Sequence, residues 1–131
     1  MAIKISGTTV VSDARVLQNI TEATFSGGVK EAKVAMAAND INLAAGNYFT
    51  KTITDVTTFT VSNVPAAGTA TAIILDLTNG GAYTINWWSN VKWSSITGTP
   101  TLTFNGRDVL AFFTHDGGTT WTGLVVGKDV K

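Results

Sequence analysis

Turn-forming residues recur along this chain too often for long helices to fit between them. Asn39-Asp40, Pro65 to Gly68, Asn79-Gly80-Gly81, Gly98-Thr99-Pro100, Asn105-Gly106 and Asp116-Gly117-Gly118 punctuate it, and through the second half they leave segments of roughly eight to twelve residues. Glycine takes positive φ without steric cost and proline cannot donate to a ladder, so each break ends a strand or makes a turn. The residues between the breaks suit pleated surfaces. Thr, Val and Ile are plentiful and the glutamates are Glu22 and Glu31 alone, whereas helix surfaces draw on Glu, Lys, Gln and Ala. The fold class that follows is all-β: an antiparallel β-sandwich or jelly roll with an extended N-terminal arm. Short helices could sit only at Ser12 to Leu17 or Lys30 to Ala37.

Strands are expected where period-two alternation is clearest. Val34 and Met36 alternate with alanines, Tyr48 to Ile53 and Thr57 to Val61 form successive strands, and Phe49, Phe59 and Val61 point inward. Ala72 to Leu77 is the most apolar run and reads as a central strand. Asn79-Gly80-Gly81 predicts a hairpin that pairs Tyr83 to Trp87 back onto it. Val91 to Trp93 makes a short strand. Asn105-Gly106 feeds Asp108 to Thr114, where Val109, Leu110, Phe112 and Phe113 read as buried on both faces. Asp116-Gly117-Gly118 then turns the chain into Thr119 to Val126.

The stretch 1–30 has a different texture. Small apolar clusters at Ile3, Ile5, Val10, Val11, Val16 and Leu17 lie between polar residues with no large aromatic but Phe25. It reads as an arm lying on a neighbour, or else as an edge hairpin turning near Gly7-Thr8; residues 31–131 form the β-sandwich module. Nine Lys and Arg balance nine Asp and Glu, and charged residues make up only 14% of 131 residues, against the quarter or so usual for a domain. So uncharged an exterior suits contact with other protein, and the six arm residues with Trp88 and Trp93 are the candidate contacts.

Composition also limits chemistry. Cysteine is absent, which removes disulfides, thiolate catalysis and zinc-thiolate clusters. Two arginines, Arg15 and Arg107, make no basic stripe, so no direct nucleic-acid partner is expected. No apolar run approaches a spanning helix and Met1-Ala2-Ile3-Lys4 lacks the pattern of a signal peptide, so neither membrane insertion nor export by that route is expected. His115 is the one histidine; it stands beside Asp116, but neighbouring strand residues point to opposite faces and make no acid–base dyad. The aspartates are scattered among turns rather than clustered as calcium wants. No catalytic residue, cofactor or metal ligand is therefore assigned, and the protein is read as not an enzyme.

Thr114-His115-Asp116-Gly117-Gly118-Thr119-Thr120-Trp121 resembles the Asp-box hairpin of sialidases and other β proteins. The resemblance implies a structural hairpin, with Thr114, Asp116, Gly118, Thr120 and Trp121 shaping the turn and seating the indole beneath it. A sialidase propeller needs several such boxes and an arginine cluster. Trp87, Trp88 and Trp93 form a second cluster. Alternation sends Trp87 and Trp88 to opposite faces, one into the core and the other to an interface or to the apolar face of a sugar.

Gly46-Asn47-Tyr48-Phe49-Thr50, Thr58 to Pro65, Val91-Lys92-Trp93, Asp108-Val109-Leu110, the Asp116 to Trp121 box and Gly127-Lys128-Asp129 together resemble a β-sandwich module of tailed-bacteriophage virion proteins. The similarity covers about Val34 to Lys131. It implies a virion structural protein assembled in the host cytoplasm. A module behind so short an arm is similar to capsid cement or decoration proteins, which implies a homotrimer bound to the major capsid protein, or another virion protein, across subunit joints. The Ile5 to Ile20 stretch is similar to segments that introduce fibre repeats, which implies the alternative: a tail fibre or tail tip protein binding host glycan.

Overall fold

The structure, a computed structural model, describes residues 3–12, 17 and 20–131. The chain divides into two compact units, Met1–Lys30 and Glu31–Lys131. In the first, β1 (Ile3–Ile5) and β2 (Thr8–Val11) form their own antiparallel two-stranded sheet. Ser6 and Gly7 join them with φ of 49° and 81°, the two consecutive positive values that a tight hairpin turn requires. Ile3 to Thr8, Val10 to Ser12, Leu17 and Ile20 to Lys30 are all exposed or half-buried.

The second unit carries β3 (Val34–Ala35), β4 (Asp40–Asn42), β5 (Tyr48–Thr52), β6 (Thr57–Thr58), β7 (Thr60–Ser62), β8 (Thr71–Thr78), β9 (Ile85–Asn86), β10 (Val91–Lys92), β11 (Arg107–Thr114) and β12 (Trp121–Gly127). A single 3-10 turn, Gly80–Ala82, interrupts the strands. The chain is all-β, with no α-helix among the described residues, and so none at Lys30 to Ala37; Ser12 to Leu17 lies largely outside them. No helix among them is long and apolar enough to cross a membrane.

The main sheet has the order β10-β12-β11-β8-β5-β3 and is mixed, which corrects the antiparallel expectation. β8, β11 and β12 run antiparallel to their neighbours in that trio, while β3 with β5, β5 with β8 and β10 with β12 are parallel. Two further pairs, β4 with β7 and β6 with β9, are parallel as well. The chain thus coils, laying each course beside the one before. Alternation in a sequence reports which face is buried and is silent about the direction of the neighbour.

The Asn79-Gly80-Gly81 break shows how the coil is made. Asn79 takes φ 63°, but its side chain reaches away from the local chain: Nδ2 donates to the Ile53 carbonyl at 3.1 Å and Oδ1 accepts from the Asn105 amide at 3.1 Å. Gly81 passes so close to the 102–104 backbone that a Cβ would lie 2.3 Å from the Leu102 carbonyl oxygen. The chain therefore does not fold back onto β8 as a hairpin. It continues through the 3-10 turn to β9, which pairs with β6.

The core lies on one side of the main sheet. Phe49 of β5 stands opposite Leu75 of β8, Leu75 opposite Leu110 of β11, and Phe112 opposite both Ile73 and Gly123. Ile41 of β4 and Phe59 close this core from the β4–β7 and β6–β9 side, and Val61 packs against it. Along β11 the even-numbered residues Asp108, Leu110, Phe112 and Thr114 are buried. Phe113 is 43% exposed, so the reading of β11 as buried on both faces is corrected: one face of this strand is uncovered.

Candidate functional site

The tryptophans converge. Trp87 and Trp88 follow β9 in irregular chain, where strand alternation no longer applies, and both turn toward the core. This corrects the expectation that they face opposite sides. Phe112, fully buried, is the hub: its ring centroid lies 4.8 Å from Trp88, 5.5 Å from Trp87 and 5.5 Å from Trp93. Trp87 stacks on Phe59 at 5.6 Å, and Trp88 meets Trp121 edge-on at 6.0 Å. Offset and edge-on pairs of this kind stabilise beyond their buried area, by about 0.5–1.5 kcal/mol each. Trp93 packs against Gly123, where a Cβ would lie 2.6 Å from its ring.

A groove of about 540 Å³ opens beside this cluster, floored by Phe59, Trp87, Trp88 and Trp121 and rimmed by Thr58, Thr60 and Asn90. The Trp88 indole N–H is buried with no acceptor among the described residues. Asn90 ties the groove to the 114–121 hairpin, its Nδ2 donating to the Gly118 and Thr119 carbonyls at 2.7 and 3.0 Å. The groove thus joins Trp88 to Trp121. Trp93 lies off it, beside Gly123 and Val125.

The hairpin between β11 and β12 is built from its own side chains. Thr114 Oγ1 donates to Asp116 Oδ1 at 2.7 Å and accepts from the Gly118 amide at 2.9 Å. The same carboxylate oxygen accepts from the Thr120 amide at 2.9 Å. Gly118 takes φ 83°, Trp121 is buried beneath, and Gly117 packs against the Ala66 backbone with its amide donating to the Thr69 carbonyl at 3.0 Å. Hydrogen bonds from the Thr120 amide and the Thr114 hydroxyl hold the Asp116 carboxyl below the usual carboxylate range. His115 is exposed at the tip.

The proposed arm residues are mostly open to solvent: Ile3 is 54%, Ile5 65% and Leu17 67% exposed. Val10 and Val11 are half-buried, and Val11 bridges Leu17. Val16 lies outside the described residues. No group of three or more His, Asp or Glu that could hold a metal ion occurs among the described residues.

Two polar constructions were not read from the sequence. Asp76, in the apolar run of β8, accepts Arg107 Nε at 2.8 Å, Arg107 Nη2 at 2.7 Å and Tyr48 Oη at 2.9 Å. The bidentate guanidinium holds the Asp76 carboxyl below its ordinary range against the opposing effect of burial, and the hydrogen bond to Asp76 raises the Tyr48 phenol. A carboxylate in an apolar strand, with one arginine beyond a turn, was the signal available. The second is Asp108, fully buried, which accepts from the Thr103 amide, the Thr103 hydroxyl and the Asp129 amide.

Because Asp76 and Asp116 are both depressed in the folded chain, they contribute stability that is present above the unfolded value of about 4 and is lost as pH falls through the folded values. Urea midpoints measured from pH 7 down to pH 2 should hold to about pH 4 and then fall. An Asp76→Asn, Asp116→Asn double variant should show a flatter acid limb; an unchanged limb would refute this assignment.

Comparison with family models, with curated proteins and with solved structures finds no match to this chain.

Proposed function

We propose that this chain is a non-enzymatic structural protein of a tailed-phage virion, a capsid cement assembled as a homotrimer across joints between capsid subunits. In this reading the Glu31–Lys131 unit is a sandwich-type module, with the main sheet as one layer and the β4–β7 and β6–β9 pairs as the other. The observation that carries it is the N-terminal hairpin unit, where Ile3, Ile5 and Leu17 are more than half exposed and Val10 and Val11 only half-buried. An isolated two-stranded hairpin is marginal in water, so such a unit gains its order from a larger surface. The mechanism is mass action: a protein that binds the assembled shell and not its dissociated subunits shifts the balance toward assembly, more so with each site occupied.

Two measurements test it. Immunogold labelling of virions should decorate the head with copies in the hundreds; label confined to the tail would sink the cement reading. An Ile3→Ser, Ile5→Ser variant of the full chain should lose shell binding while keeping its tryptophan fluorescence, and undiminished binding would end the arm's role.

The groove over Phe59, Trp87, Trp88 and Trp121 favours a second reading, host-glycan recognition at the tail. The half-buried indoles of Trp87 and Trp88 line the groove, and aromatic faces suit the apolar face of a pyranose. Here Trp88→Phe should abolish retention on the glycan array that retains the parent, and a parent bound by no glycan removes this reading.

A further inference from the structure

Two asparagines of this chain precede glycine, Asn79 before Gly80 and Asn105 before Gly106, and one aspartate, Asp116, precedes Gly117. Glycine has no side chain to shield its backbone nitrogen, so at such a bond that nitrogen can attack the side-chain carbonyl carbon of the residue before it. The three sites are held differently. Asn79 is clamped: its Nδ2 donates to the Ile53 carbonyl and its Oδ1 accepts from the Asn105 amide, each at 3.1 Å, and the following Gly80 is buried. Asp116 is clamped as well, its Oδ1 accepting from the Thr114 hydroxyl at 2.7 Å and from the Thr120 amide at 2.9 Å. Asn105 is exposed, its side chain makes no hydrogen bond to another described residue, and Gly106 is half-buried. Its carboxamide is free to turn onto the next amide.

We infer that Asn105 is a site of spontaneous deamidation, a covalent modification whose co-reactant is water. The Gly106 nitrogen bonds to Asn105 Cγ and gives up its proton, the bond from Cγ to Nδ2 breaks, and ammonia leaves with that proton, closing a five-membered succinimide. Water then adds to one of the two ring carbonyls and breaks its bond to the ring nitrogen, which recovers a proton. Opening at Cγ leaves aspartate. Opening at the backbone carbonyl leaves isoaspartate, whose main chain runs through the former side chain and is longer by one methylene. Either product sets ten acidic groups against the nine basic ones and so ends the chain's charge balance. Isoaspartate also opens a seam. The Asn105 amide donates to Asn79 Oδ1 and the Asn79 amide donates to the Gly106 carbonyl at 2.7 Å, so a longer main chain at 105–106 disturbs the bonds that hold the end of β8 to the start of β11. The inference goes beyond the virion reading and does not depend on it.

Ageing the full chain at mildly alkaline pH and body temperature, followed by peptide mapping with mass spectrometry, tests it. Trypsin releases peptide 93–107, in which Asn105 is the sole asparagine, and peptide 52–92, which carries Asn79. In the folded chain Asn105 should convert to aspartate and isoaspartate at least about tenfold faster than Asn79, which must first release two hydrogen bonds. In urea both Asn-Gly bonds are open, and the two rates should agree within about threefold. Asn105→Gln, one carbon too long for the five-membered ring, should keep the isoelectric point of the fresh protein on ageing. The separated isoaspartate form should unfold at lower urea concentration than the parent, and an equal midpoint would overturn the role given to the seam. A folded chain in which Asn79 reacts as fast as Asn105, or in which Asn105 stays intact while the urea sample converts, overturns the site.

Discussion

Phe112→Ala should remove about 3–5 kcal/mol of stability, the range for truncating a fully buried phenylalanine. The high end is expected because the surroundings cannot close on the vacated space. Trp87 is held by its stacking on Phe59, Trp88 by its edge-on contact with Trp121, and Trp93 by its seat on Gly123. Three indoles would line the cavity and none is free to fill it, so the penalty for unfilled volume adds to the lost transfer energy. Domains of this size are stable by about 5–15 kcal/mol, which makes this one substitution a large fraction of the whole. Urea unfolding followed by tryptophan fluorescence measures it. The neighbouring Phe113→Ala, outward and 43% exposed, should cost under about 1 kcal/mol; equal losses at the two positions would contradict the assignment of faces.

Asp108→Ala is the second large effect, expected at about 3–5 kcal/mol by the same measurement. The carboxylate is fully buried and receives three donors, the Thr103 amide, the Thr103 hydroxyl and the Asp129 amide. Each buried donor left without an acceptor costs about 1–3 kcal/mol. Asp108→Asn separates shape from chemistry: its Oδ1 can keep the Thr103 hydroxyl and the Asp129 amide while its NH₂ faces the Thr103 amide, itself a donor, so it should destabilise clearly but less than alanine. Were the asparagine variant as stable as the parent, the hydrogen bonds would not be what holds this corner.

Much of the strand layout is legible in the residues. The apolar run Ala72 to Leu77, the strand Asp108 to Thr114, the inward placement of Phe49 and Phe59, and the Asp116-Gly117-Gly118 turn follow from alternation and turn chemistry, both of which are local. Partnership is not local. Nothing in Thr57-Thr58 names Ile85-Asn86 as its neighbour, and a short apolar strand is equally content beside a parallel or an antiparallel one. Asn79-Gly80-Gly81 carries a strong hairpin signature, yet its outcome was decided by Ile53, Leu102 and Asn105, residues distant in the chain. The site divides in the same way. The Asp-box residues bond one another within a few positions and could be placed beforehand. The meeting of Trp88 with Phe112 and Trp121, and of Tyr48 with Asp76 and Arg107, depends on the coil that brings them together.

The coil also sets the order in which the protein can be completed. Tyr48 must find Ile74 and Thr57 must find Ile85 across long stretches of intervening chain, and the entropy of closing such loops is lost before any contact repays it. The β11–β12 hairpin is the local piece, yet its strands come after all the others in chain order, and it sits between β8 on one side and β10 on the other. A ribosome that has delivered everything through Lys92 has supplied neither strand that seals that side. Closure of the main sheet therefore waits for residues 107–127, and the β11–β12 hairpin acts as the latch.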